Sequence, residues 1–233
     1  GFGVTCCDAL VAGLRDHGLT VDVVASSARR QTAWVAETLE RFERSVRRGR
    51  HDVVLAFHAF WPFTADLRRI LDEGGSRPLV TYTHGSHWDP TDTFRTERYP
   101  RLRWADLGNL LAADRVLVVS DHLREVLLRE VGSVSSQAAA ELGGKLRTVG
   151  LPLDLARIDA ARGGALPGPA GPRRRTVVFN HAPIPAKQPG VFLDLAAEIL
   201  AHTDTSVLVT RHFPPDSRWG RQLASLAEAF PGR

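Results

Sequence analysis

Short apolar runs alternate along this chain with stretches in which apolar residues recur at helical spacing. From residue 4 to 17 the spacing predicts a helix carrying Ala9, Leu10, Ala12 and Leu14, with Gly18 placed to end it. A strand over 21–24 follows, then a long amphipathic helix over 31–48 and a strand over 53–57. A helix over 65–71 leads to a strand over 79–83, and a helix over 102–112 to a buried strand over 115–119. The pattern continues with a helix over 121–130, a strand over 146–149 and a short helix over 154–162. Residues 163–174, GGALPGPAGPRR, lack periodicity and read as a linker. Beyond it come a strand over 176–179, a helix over 189–201, a strand over 206–210 and a last helix ending near Phe230.

Strands separated by helices predict an α/β protein with mostly parallel sheets, here as two doubly wound, Rossmann-like domains facing a ligand cleft. The expected first domain is 1–162 and the second starts at 175, after the 163–174 linker. Both are expected to be incomplete. Nothing upstream of Gly1 supplies the central strand before the first glycine turn, and 175–233 is shorter than the usual domain of about 100 residues or more.

Composition narrows the classes. The chain is 43% hydrophobic and 24% charged, as in globular proteins, and has no apolar run of the roughly 18 residues that span a bilayer. No stretch has the order of a signal peptide, and the two cysteines, Cys6 and Cys7, are adjacent and cannot staple distant segments. A soluble, cytoplasmic protein is expected. A net charge of +4 is compatible with an anionic partner without selecting one.

Four motifs fall at expected strand ends, where α/β proteins bind ligands. Gly1-Phe2-Gly3 opens a helix, where small residues allow close backbone approach to an anion; a turn needed only for chain reversal is the alternative. The strand LAFHAF ends in His58 beside Phe60, Trp61 and Phe63, a sugar-binding wall or simply core. TYTHGSHWDP ends a strand in His84, free to contact a substrate hydroxyl or phosphate or to serve as a loop residue. His84 and His87 lack the further ligands that zinc requires, so no metal is expected. In VVFNHAPIPAKQP a strand turns into a helix whose first residues are Lys187, Gln188 and Pro189, which sets a cation at a positive helix end.

Order and spacing together resemble the group-1 retaining glycosyltransferases of the GT-B fold, which transfer sugars from nucleotide diphosphates. Residues 1–18 are similar to that family's glycine turn and first helix. DVVLAFHAF (52–60) and PLVTYTHGS (78–86) are similar to its histidine-ended strands, and ADRVLVVSDHLREVLL (113–128) to its run of strand, serine and helix. KLRTVGLPLD (145–154) resembles the hinge, and VVFNHAPIPAKQP the donor-phosphate turn of the second domain. The resemblance implies that Lys187 binds the donor diphosphate and stabilises the leaving nucleotide, and that His84 contacts the donor sugar near the reacting carbon. It gives Gly3, with Gly1, a backbone contact near the phosphates and Ser120 a place at the cleft wall. It implies a nucleotide-sugar donor, a small-molecule, glycan or lipid acceptor, and no metal or cofactor.

Three departures accompany the resemblance. The family's arginine five positions before the lysine is replaced by Ala182; His181 or Arg211 is the candidate substitute. The hinge reads Leu151-Pro152-Leu153-Asp154, and the paired glutamates that hold ribose and donor sugar would lie beyond residue 233. Two other readings remain: a nucleotide-sugar epimerase on the same fold, and a non-catalytic sugar-nucleotide-binding protein, which Ala182 favours. The basic helix ERFERSVRRGR (40–50) leaves peripheral membrane contact open. Nucleic acid is not expected, because Glu40 and Glu43 sit at pairing distance from its arginines and an ordinary solvated face accounts for the helix.

Overall fold

The computed structural model of the chain describes residues 2–25, 31–49, 51–57, 64–75, 77–91, 100–163 and 175–233. It divides into two compact units, Gly1–Ala161 and Arg162–Arg233.

In the first unit, helices α1 (Phe2–Asp16) and α2 (Gln31–Arg47) precede strand β1 (Val54–Phe57). Helix α3 (Thr64–Glu73) then leads to β2 (Leu79–Thr83), and α4 (Leu102–Ala112) to β3 (Arg115–Val118). Helices α5 (Asp121–Gly132) and α6 (Ser136–Lys145) precede β4 (Leu146–Thr148), and α7 (Leu155–Gly163) closes the unit. The four strands form one parallel sheet in chain order. Val54 pairs with Leu79, Val80 with Arg115 and Val116 with Leu146. Because every strand points the same way, each must be joined to the next by a crossover, and the helices between them supply it.

Strand β2 is central and reads as a fully buried strand should, with Leu79, Thr81, Tyr82 and Thr83 all at most 1% exposed. Its polar side chains are satisfied in the sheet or just beyond it: Thr81 donates to Ala56 O of β1 at 3.2 Å, and Tyr82 to Gly150 O, past β4, at 3.4 Å. One apolar cluster gathers Leu110, Val116, Val118, Leu127, Val131 and Leu142, with further side chains from α4 to β4. A second gathers Phe42, Val46, Ala56, Leu67, Leu71 and Leu79. Each fully buried leucine contributes about 1.5–3 kcal/mol of burial free energy. Cys6 is buried and Cys7 half-buried; neither is disulfide-bonded, and burial pushes both thiols up from their ordinary value.

Three local expectations are corrected. Residues 21–24 form no strand: Arg15 donates to Val21 O and Arg41 to Ala25 O, each at 2.8 Å, so side chains engage these carbonyls. Helix α6 has no counterpart in the expected elements. It carries a run of three alanines and ends in Gly143-Gly144-Lys145, yet Ser135 Oγ accepts from Ala138 N at 3.1 Å and Leu142 is fully buried. Gly163, expected to open the linker, instead closes α7, and 164–174 lie outside the described residues. By contrast, Gly18 ends α1 as expected. At φ 82° it donates to Arg15 O while Leu19 donates to Leu14 O, the paired bonds of a glycine-terminated helix.

The second unit contains β5 (Thr176–Phe179), a 3-10 turn (Pro185–Lys187), α8 (Pro189–His202), β6 (Ser206–Val209) and α9 (Arg218–Ala229). Its two strands are parallel, with Thr176 opposite Ser206 and Phe179 opposite Val209. Phe179, Leu193 and Phe213 form its core, with Phe192, Val209, Trp219, Leu223 and Leu226 packed around them.

Candidate active site

The parallel register brings the carboxyl ends of the first unit's strands side by side. Thr83 pairs with Val118, so the residues that follow, His84 after β2 and Val119-Ser120 after β3, leave the sheet at the same edge. His84 is half-buried, its ring 6.5 Å from that of Tyr82, which stacks on Phe57 at 5.2 Å. Ser120 caps α5: its hydroxyl accepts from Leu123 N at 3.1 Å. Gly3 lies within the first turn of α1, while Gly1 and His58 lie outside the described residues.

What fixes the His84 loop is a residue that pattern reading passed over. Asp106 of α4 is 2% exposed, and its Oδ2 accepts from Ser86 Oγ at 3.0 Å, His87 N at 2.7 Å and His87 Nδ1 at 2.9 Å. When ionised the carboxylate only accepts, and in that state the His87 ring donates to it from Nδ1. Trp88 ties the loop to α4 a second time, its indole N–H donating to Arg103 O at 2.6 Å. Burial pushes the Asp106 carboxyl up from its ordinary value, against the pull of the His87 amide and imidazole and the Ser86 hydroxyl. Its Oδ1 is buried without a hydrogen-bond partner among the described residues. The signal was present in the sequence: in LRWADLGNLLA, Asp106 and Asn109 share the helical face of Leu107 and Leu110, and all four are buried.

In the second unit His181 and Arg211 follow the ends of β5 and β6, and Lys187 lies further along, in the turn before α8. The pairing of Phe179 with Val209 brings Asn180 beside Thr210, whose hydroxyl donates to Asn180 Oδ1 at 2.7 Å, and His181 and Arg211 follow in the two turns. Lys187 is not the first residue of a helix, as expected, but the last of the 3-10 turn. Its amide donates to Ile184 O at 2.9 Å, and Gln188 at φ 47° separates it from α8. The cause is Pro189 at the first helical position, which disfavours helical backbone in the residue before it. No side chain caps α8, which leaves its first amides open to an anion. His181, Lys187 and Arg211 are exposed, and among the described residues no side-chain hydrogen bond or ion pair engages them. Among the described residues, no three metal-binding side chains converge, and no helix is long and apolar enough to cross a membrane.

The family model for Glycosyltransferase Family 4 matches residues 3–138, more than half of the chain. The chain belongs to glycosyltransferase family 4. The matched stretch of this family 4 glycosyltransferase runs from the first turn of α1 into α6 and contains His84, Asp106 and Ser120. The parallel α/β architecture is the Rossmann-like fold of GT-B proteins, as the sequence pattern implies. No curated protein matches the chain.

Proposed function

We propose that this family 4 glycosyltransferase moves a sugar from a nucleotide-diphosphate-sugar donor to an acceptor hydroxyl, with retention and without metal. The observation that carries the reading is the family match over the stretch that sets His84 at the carboxyl end of β2, on a loop fixed by Asp106. As the bond between the sugar and the diphosphate breaks, negative charge grows on the leaving phosphate. In the proposed front-face reaction that phosphate also accepts the acceptor's proton. The protein's task is then to stabilise developing charge with groups already in place, without a protein nucleophile.

Lys187, Arg211, His181 and the open amides of α8 are the groups assigned to that charge. Lys187 and Arg211 have no carboxylate partner among the described residues to neutralise them. His84 is assigned to the donor sugar, and the donor is assigned mainly to the second unit and the acceptor to the first. Ala182 favours one other reading, a protein that binds sugar nucleotides without turning them over. The deciding experiment incubates the full-length protein with UDP-, GDP-, ADP- and dTDP-sugars and measures free nucleoside diphosphate, with Lys187→Ala as control. Release from one donor, reduced about a hundredfold or more in the variant, is expected. Absence of release from every donor, even with cell extract as acceptor source, would point to the binding role instead.

A further inference from the structure

A second charged feature lies at the opposite end of the first unit's sheet. A pocket of about 590 Å³ is lined by Arg41, Arg44, Ser45 and Arg48, from α2 and its end, together with Asp22 and His51. The four α2-side positions are spaced i, i+3, i+4 and i+7. Arg48, just past the end of α2, still donates its amide to Arg44 O at 3.3 Å, so all four share one face. The adjacent face carries the buried Thr38, Phe42 and Val46, and Arg41, Arg44 and Arg48 are exposed. Asp22 and His51, joined by an Nε2···Oδ2 contact of 3.1 Å, complete the lining.

The lining sets three guanidinium groups against one carboxylate. Arg41 is held in place by Ala25 O and Glu37. Arg44 has only a loose, exposed contact of 3.5 Å with Glu40, of a kind worth little in water. Arg48 has no side-chain partner among the described residues. Like charges stacked at these spacings repel one another, so the arrangement is relieved by an anion set between them. Guanidinium forks match the oxygens of a phosphate group, and the pocket has room for more than the phosphate alone. His51 precedes β1 whereas His84 follows β2, and the two strands are parallel. The pocket is therefore at the amino edge of the sheet, away from the carboxyl edge that bears His84.

We propose that this pocket binds a phosphate group, carried by a soluble phosphorylated metabolite or by a lipid headgroup, at a site separate from glycosyl transfer. The test titrates inorganic pyrophosphate into the full-length Lys187→Ala protein by calorimetry, in which the candidate donor site is weakened, and assigns what remains by substitutions in the pocket. Binding is expected to persist there. Adding Arg44→Ala and Arg48→Ala should weaken it about tenfold or more, and adding Asp22→Asn instead should tighten it about threefold or more. No binding in the Lys187→Ala protein overturns the proposal, as does an affinity unchanged by the arginine substitutions in a protein with an unaltered melting curve. If those substitutions disturb folding, Asp22→Asn decides: tighter binding supports the site and unchanged binding overturns it. Sedimentation with phosphatidylcholine vesicles, with and without phosphatidic acid, then distinguishes the sources. Retention dependent on phosphatidic acid and lost in the arginine variant assigns a lipid headgroup; pyrophosphate binding without retention assigns a soluble ligand.

Discussion

Asp106 concentrates on one carboxylate oxygen three donors from the loop that presents His84. Removing the acceptor strands all three in a buried setting, so Asp106→Ala should destabilise the first unit by about 2–4 kcal/mol in urea unfolding. Asp106→Asn keeps the shape and one acceptor and separates the pH term from the packing term. Burial raises the folded-state pKa of Asp106 above its unfolded value. The associated stability is therefore fully present below the ordinary carboxylate range and is lost as pH rises through the folded value. The Asn variant has no such loss, so its stability relative to the wild type should improve between acidic and neutral pH. A difference that stays flat across that range would show that the Asp106 carboxyl is not raised. The residue is legible only in retrospect, because an acid on an apolar helical face signals a buried partner without saying which loop supplies it.

Turns and caps position the strand ends, and their substitutions act on whole elements. Ser120→Ala removes the cap of α5 and should cost about 1 kcal/mol in stability. If the same hydroxyl also faces the donor, the KM for donor should rise; an unchanged KM with the stability loss intact would confine Ser120 to capping. Gly220, in the first turn of α9, has a harder constraint, since a Cβ there would meet Pro214 O at 1.9 Å. Gly220→Ala must displace backbone beside buried Phe213 and should cost about 1–3 kcal/mol or more, read as a lower melting temperature. Elements with strong periodicity were legible from sequence: α4 and β5 fall on their expected residues, and α2, α8 and β6 within one residue. The 21–24 segment misled because Val-Asp-Val-Val has strand composition, but a strand exists only with a ladder partner, and arginines bond its flanking carbonyls. Helix α6 was hidden because alanine signals helix propensity without marking a face; its cap, Ser135, was the readable clue.

At the scale of the whole molecule, membership of family 4 rests on α1 to α6, whereas the proposed chemistry of the leaving group rests on the second unit. The place of His84 after β2 was readable because parallel register aligns strand ends, so a residue's place in the chain sets its place on the edge, whereas His58 lies outside the described residues. The proposed diphosphate site was less readable, because the arginine that the family resemblance implies is Ala182 here and a substitute from another strand leaves no mark in local sequence. Ala182 is exposed in the turn after β5, its carbonyl accepting from Ile184 N at 2.8 Å, so a longer side chain meets no packing there. If Arg211 replaces the missing cation, Arg211→Ala should lower donor turnover about tenfold or more, by loss of one charge-assisted contact to the leaving phosphate. Ala182→Arg in the wild type should then change little, since the charge is already supplied. In the Arg211→Ala background, the same substitution should restore most of the lost turnover. Equal effects of Ala182→Arg in both backgrounds would mean that the two positions act independently, and the substitution of one cation by another would be wrong. Rescue confined to the Arg211→Ala background requires a shared target for the two side chains, which single substitutions do not demonstrate.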